Sequence, residues 1–271
     1  MRQDGAEALM RAIVRKLGLS RPTVSIPGGL SKSNNINEAN IIFEILDAAS
    51  RHGVMVDVGA HYGGTLGRFA HAGWQVYAFE PDSKNRERLV EQGFGNMPNV
   101  HVDARGLADK PSTGIPLYRS EESTGVSGLS AFLPTHMESE TVDVTTLEIF
   151  SDEHDFRAID FLKVDTEGFD LFVLQGVPWE RFEPQAVLCE FEDRKTVSLG
   201  YSFHDLAGYL EQKGYRLVVS EWYPIKRYGI THDWRRFTPY PCELEDPNAW
   251  GNILAVKEPL YKALLKTCNL T

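Results

Sequence analysis

Val54-Met55-Val56-Asp57-Val58-Gly59-Ala60-His61-Tyr62-Gly63-Gly64 is an apolar run that takes in one acid and then breaks into glycines. A short apolar run bounded by glycine reads as a buried strand. Thr65-Leu66-Gly67-Arg68-Phe69-Ala70 reads as the first turns of a helix that stops at Gly73. Strand, glycine turn and helix in this order open a nucleotide-binding α/β fold. The glycines let the backbone approach a ligand, and the helix start offers unpaired N–H donors at the same place. A second apolar run, Trp74-Gln75-Val76-Tyr77-Ala78-Phe79, ends in Glu80, 21 residues past Gly59. That is near the spacing at which such folds set an acid against the two hydroxyls of a ribose.

The glycine spacing bears on which nucleotide. A dinucleotide turn needs Gly-x-Gly-x-x-Gly to hold a pyrophosphate, but His61 stands where the second glycine should be. Asp57 is expected at the mouth of the loop, where it would repel phosphate and suit a cationic ligand such as the amino and sulfonium region of S-adenosylmethionine. A structural turn with no ligand is the plain alternative.

The length of 271 residues and a hydrophobic content of 42% suffice for one large domain with decorations. A net charge of −10 argues against a nucleic-acid partner, because phosphate binding relies on clustered Lys and Arg. Cys189, Cys242 and Cys268 are odd in number and lack zinc spacing, so neither a disulfide framework nor a Cys-rich metal site is expected. With no signal peptide or membrane-spanning stretch read in the chain, it is expected to be soluble and cytoplasmic.

Leu9, Met10, Ile13, Val14 and Leu17 form the apolar stripe of a basic helix over 7–17, which could meet its own domain, a membrane surface or a partner subunit. After a Pro, Gly and Ser rich passage, a helix from Ile36 is expected to bury Ile41, Ile42, Ile45 and Ala49, with Asn34 and Asn35 ahead of it. Beyond Glu80, Pro81 and Asp82 open a further helix. A third strand around Val100-His101-Val102 leads to Asp103, in a polar turn suited to reading an adenine edge. Ile115–Tyr118 and Thr141–Thr145 read as a β-hairpin with a Ser/Gly loop, Ser123–Ser130, between them.

Ile159-Asp160-Phe161-Leu162-Lys163-Val164 is a buried strand that runs into Asp165-Thr166-Glu167-Gly168, with a helix behind it. In an open parallel sheet the ligand crevice lies at the carboxyl ends of the strands, so Asp165 and Glu167 should face it. Two acids one residue apart could orient or deprotonate a hydroxyl, hold a divalent cation, or simply be solvated at a helix start. Ala186–Phe191 is a fifth strand, Ser202-Phe203-His204-Asp205 a capping box, and Tyr215–Val219 and Asn252–Val256 a closing pair. Between that pair lies an insertion rich in aromatic and cationic residues, including Trp222, Tyr228, His232, Trp234 and Arg236. It suits a polar ring or a subunit contact equally well.

With these three motifs assembled, the sequence resembles the FkbM family of S-adenosylmethionine-dependent methyltransferases. The likeness rests on Val56–Gly63, on Tyr77-Ala78-Phe79-Glu80-Pro81, and on Ile159–Gly168 with Leu174-Gln175-Gly176. It runs from about residue 54 to 192. The resemblance implies a Rossmann-like α/β fold, with a seven-stranded, mostly parallel sheet flanked by helices. It also implies methyl transfer to a hydroxyl of a small-molecule or carbohydrate acceptor, often a sugar or secondary metabolite. Asp57, Gly59 and Glu80 carry over as cofactor contacts, and His61, Gly63, Asp103 and Asp165 are added to them from the reading of the turns. Glu167, Asp165 and His61 are the catalytic candidates, with His232 in reserve. No metal ligand is assigned, since a divalent cation is possible but not indicated by any fuller cluster. The expected organisation is a helical extension over 1–50 and a methyltransferase domain over 51–258, followed by a helix or tail over 259–271. The domain carries a hairpin insertion near 115–147 and a substrate-side insertion near 222–249. A homo-oligomer is possible. A nicotinamide-dependent oxidoreductase and a non-catalytic protein that kept the fold are the competing readings.

Overall fold

The computed structural model describes residues 36–49 and 53–271. The basic helix over 7–17, the Pro-rich passage, and Asn34 and Asn35 lie outside the described residues. The first described helix, α1 (Glu38–Ala48), begins at Asn37, whose side chain accepts from the Asn40 N–H. It buries Ile42, Phe43, Ile45 and Leu46, whereas Ala49 is exposed, so the apolar stripe ends earlier than expected.

Five parallel strands and three antiparallel ones then build one sheet. β1 (Val54–Val58), β2 (Gln75–Phe79), β3 (Val100–Asp103), β8 (Phe161–Val164) and β9 (Ala186–Glu192) are parallel neighbours. β12 (Trp250–Val256) lies antiparallel on β9, and β10 (Arg216–Trp222) antiparallel on β12. β11 (Trp234–Pro239) pairs antiparallel with β10 at the edge. The full order is β11-β10-β12-β9-β8-β1-β2-β3. Parallel strands bury both faces, which is why they read as continuous apolar runs. Met55 enters one core cluster, and Val56 and Val58 enter the other. In the first cluster Phe69 lies with its ring centroid 5.0 Å from Phe43, 5.1 Å from Trp74 and 4.9 Å from Phe161.

The sheet therefore has eight strands, not the expected seven, and the extra one comes from the insertion near 222–249. β11 is hard to read because its inward apolar residues, Trp234 and Phe237, are three positions apart with two arginines between them. Fully buried Glu221 on β10 accepts from Arg235 at 3.0 Å and from Arg236 at 2.7 Å. The hairpin insertion is also richer than expected. β4 (Gly106–Leu107), β5 (Ser112–Ser120), β6 (Ser123–Gly128) and β7 (Met137–Thr145) form a second sheet in the order β4-β7-β5-β6. The Ser/Gly stretch read as a loop is thus the strand β6. It pairs with β5 through Tyr118↔Gly128 and Ser120↔Ser123, and Val126 is its one buried apolar side chain.

Helices pack on the strands: α2 (Leu66–His71), α3 (Ser83–Glu91), α4 (Leu147–Glu153), α5 (Asp170–Gln175), α6 (Asp193–Thr196), α7 (Phe203–Gln212) and α8 (Glu258–Thr267). Asp82 caps α3 by accepting from the N–H groups of Lys84 and Asn85. The Ser202/Asp205 capping box opens α7 as its spacing predicts. Among the described residues no helix is long and apolar enough to cross a membrane.

Candidate active site

A cavity opens at the carboxyl ends of β1, β2 and β8, with β6 and the residues after it on the other side. Counting its mouth, which opens to solvent, the space between the walls is about 750 Å³. Gly59, His61 and Glu80 line it from β1 and β2, and Asp165 and Glu167 from β8. Phe79, Leu107, Leu117, Leu129 and Phe169 supply apolar wall.

Gly59 brings the two ends of the site together. It has φ +80°, and a Cβ there would stand 1.8 Å from the Asp165 main-chain oxygen, so only glycine allows the β1 and β8 turns to touch. The Gly59 carbonyl in turn accepts from the Lys163 ammonium at 2.6 Å. Glu80, at the tip of β2, is buried, and its two carboxylate oxygens accept from the His61 N–H at 2.6 Å and the Asp82 N–H at 2.9 Å. Burial outweighs these bonds and lifts its pKa to about 7.

The β8 turn is shaped by Asp170, which accepts from the N–H groups of Thr166 and Gly168, and by Tyr201, whose hydroxyl donates to the Gly168 carbonyl at 2.7 Å. Glu167 itself adopts φ +56°, a region that non-glycine residues rarely occupy. Its carboxylate lies 2.7 Å from the Lys195 ammonium. Burial pushes the Glu167 pKa upward against the pull of that lysine. Asp165 is more open to solvent and lies 3.4 Å from Lys163.

The second sheet covers the cavity. The Thr124 hydroxyl on β6 accepts from the Tyr62 hydroxyl at 2.7 Å and stands 3.2 Å from His61 Nε2. The Asn85 side chain donates to the Thr124 carbonyl at 3.0 Å, and Arg88 reaches the Tyr62 hydroxyl. Gly128 lies against Glu167, where an added Cβ would come within 3.2 Å of the glutamate's Cβ. The His61 ring stacks on Tyr62 with centroids 3.7 Å apart, and burial lowers its pKa.

Glu80, Gly59, His61, Asp165 and Glu167 therefore share one cavity. Three of the expected contacts do not. Asp57 is inside β1 rather than at the loop mouth: it is fully buried, on the face of the strand away from Val58, and pairs with Lys163 at 3.2 Å. Asp103 turns to Arg105 instead, accepting from that residue's main-chain N–H, Nε and Nη2, and the following Gly106 and Leu107 take its place at the wall. Gly63 serves packing, since with φ +85° it leaves room for the Phe94 ring, which a Cβ would meet at 2.6 Å. His232 stands in the insertion with its ring centroid 5.2 Å from that of Trp250, outside the cavity wall but within the field of Glu192 and Lys195.

Two lysines went unremarked in the sequence. Lys163 interrupts the apolar run of β8, and Lys195 follows the buried strand end Glu190-Phe191-Glu192; both are buried. A charge in the middle of an otherwise apolar strand was the signal for the first. Two groups of His, Asp and Glu converge closely enough for a cation among the described residues. In His101, Asp103 and His154, the Arg105 guanidinium already spans both Asp103 oxygens. In Asp165, Glu167 and Glu190, the Lys195 ammonium stands 2.7 Å from each of the two glutamates. A side-chain cation thus sits among the oxygens of each group.

No curated protein matches the chain. A solved precorrin-6Y C5,15-methyltransferase from Geobacter metallireducens is similar at 13% identity, covering 84% of this chain and 94% of its own, with a TM-score of 0.40. A TehB-like SAM-dependent methyltransferase from Corynebacterium glutamicum is similar at 11% identity, covering 94% and 100%, with a TM-score of 0.39. A magnesium protoporphyrin IX methyltransferase from Synechocystis, solved with bound SAM, shares 10% identity over 82% and 77%, with a TM-score of 0.37. The family model described as the methyltransferase FkbM domain matches residues 57–217, a span that holds Glu80, Asp165, Glu167 and Lys195. The chain belongs to the FkbM methyltransferase family.

Proposed function

We propose that the chain is an S-adenosylmethionine-dependent O-methyltransferase whose acceptor is a hydroxyl of a sugar, glycan or secondary metabolite. The observation that carries this reading is a single cavity walled by Glu80 on one side and by the Asp165–Glu167 turn on the other. The residues fit the cofactor. Each Glu80 oxygen is fixed by one main-chain N–H and keeps capacity to accept from a ribose hydroxyl. Gly59 lets the β1 and β8 turns meet at the cavity wall, and Leu107, Leu117 and Leu129 offer an apolar wall to a base. When bound, S-adenosylmethionine supplies a methyl group made electrophilic by its sulfonium.

The protein's task is then alignment of the acceptor oxygen and exclusion of water, for which β6 is the cover. A hydroxyl is a weak nucleophile while protonated. Glu167 takes that proton as general base, and Asp165 beside it orients the hydroxyl. A buried carboxyl with a raised pKa is suited to this work near neutral pH. His61, whose ring is engaged with Tyr62 and Thr124, serves the cover rather than the proton.

Incubation of the purified chain with S-adenosylmethionine and a panel of free sugars and phenols, followed by mass spectrometry, tests this. A methylated hydroxyl product is expected from the wild type, with turnover falling at least about 100-fold in Glu167→Gln. Undiminished turnover in Glu167→Gln removes that residue from the mechanism.

A further inference from the structure

Behind the Glu167 wall, Lys195 is 2% exposed in its side chain and makes three ion pairs at once: 2.7 Å to Glu167, 2.7 Å to Glu190 and 3.0 Å to Glu192. Glu190 and Glu192 belong to β9 and Lys195 to α6, so three segments of the chain converge on one ammonium. The Tyr228 hydroxyl, from the insertion, donates to both Glu192 oxygens at 3.0 and 3.1 Å. The Phe132 and Tyr228 rings lie 5.6 and 6.0 Å from the Lys195 nitrogen and close the group off from water. Only Glu167 among these carboxylates lines the cavity. A buried ammonium among three carboxylates is not needed for the core, where an apolar group of similar volume is often as stable.

We propose that Lys195 is a positioning residue: clamped by Glu190 and Glu192, its ammonium orients the Glu167 carboxylate at the cavity wall and favours the ionised form that receives the acceptor's proton. This rests on the reading of Glu167 as general base. The proton passes from the acceptor oxygen to a Glu167 oxygen. The electron pair it leaves forms the bond to the methyl carbon, and the carbon–sulfur pair returns to sulfur. Lys195 exchanges no proton in this step. It is held charged by its three carboxylates, which outweigh the effect of burial on it.

The charges around Glu167 set the sign of the effect. Asp165 on its own turn and Glu192 on β9 disfavour a further anion at Glu167, as Glu190 and Glu167 do each other, while Asp170 at the start of α5 acts on Asp165 and Glu190. Lys195 is the cation in contact with Glu167. Lys163 is spent on Asp57 and Asp165, while Tyr228 and His232 face the Glu192 side. Removing the ammonium therefore moves the Glu167 titration upward.

The test reads the carboxyl directly, without an acceptor. The full chain is labelled with glutamate carrying carbon-13 at Cδ, the Glu167 resonance is identified by its loss in Glu167→Gln, and its shift is followed with pH. The wild-type midpoint is expected above the ordinary carboxylate range. It should rise by about one to three pH units in Lys195→Met and return to within about half a unit of wild type in Lys195→Arg. Should Lys195→Met fail to fold, Lys195→Gln, which removes the charge but keeps N–H donors for the glutamates, should raise the midpoint in the same way. A midpoint unmoved in whichever of the two variants folds overturns the assignment. Failure of the underlying reading looks different, namely undiminished methyl transfer in Glu167→Gln, whatever the resonance does.

Discussion

Lys163 shows how a single side chain can hold both halves of the site. Its ammonium pairs with Asp57 on β1 and Asp165 on the β8 turn while donating to the Gly59 carbonyl. Lys163→Met would leave Asp57 ionisable and fully buried without its cation. We expect a loss of about 3–5 kcal/mol, read by urea denaturation, and a much smaller loss in the double variant with Asp57→Asn. Equal losses in the two would mean that the pair contributes little. At this scale the sequence was legible where an acid ends a strand, as Glu80, Asp165 and Glu167 do. Asp57 and Asp103 were misplaced because the direction of a charged side chain depends on its cation. Lys163 lies over a hundred positions downstream of Asp57, and Arg105 competes locally for Asp103.

At the scale of elements, the parallel strands and capped helices declare themselves through apolar runs and local caps, so β1, β2, β8, β9 and α7 stood close to where their patterns put them. β6 and β11 were harder. Ser123–Gly128 contributes one buried apolar side chain, and β11 packs Trp234 and Phe237 inward three positions apart while Arg235 and Arg236 between them pair with buried Glu221, and neither gives a hydrophobic alternation. β6 is also the element that covers the cavity, fastened there by the Thr124 contacts with Tyr62 and His61. Thr124→Val should cost about 1 kcal/mol of local stability, which hydrogen exchange would register as about fivefold faster opening across residues 112–128 with α7 and β9 unchanged. Uniform exchange in the variant and wild type would mean that packing alone holds β6 down.

Taken as a whole, the molecule concentrates buried acids at one rim of its sheet, and that sets its response to pH. Burial raises Glu80 from an ordinary 4.5 to about 7 and Asp170 from 3.8 to about 6. A raised acid binds its proton more tightly in the folded state. Its contribution is complete below the unfolded pKa and is lost as pH climbs through the folded one, amounting to about 3 kcal/mol for Glu80. Asp82 and Asp103 act in the opposite sense, since hydrogen bonds from Arg119 and Arg105 overcome their burial and that stability is lost below about pH 4. The melting temperature of the free protein should therefore be highest between about pH 4 and 6 and fall toward pH 8, with a flatter fall in Glu80→Gln. A melting temperature that rises from pH 5 to 8 would contradict the burial of these acids. The central claim, a cavity that binds a cationic methyl donor through Glu80, is tested most directly by calorimetric titration of the wild type and Glu80→Gln with S-adenosylmethionine, S-adenosylhomocysteine and NAD. The account predicts saturable binding of the first two, no response to NAD, and about 10- to 100-fold weaker binding in Glu80→Gln, the loss of a charge-assisted hydrogen bond. Binding of NAD with no response to S-adenosylmethionine, or equal affinity in the two proteins, would contradict it.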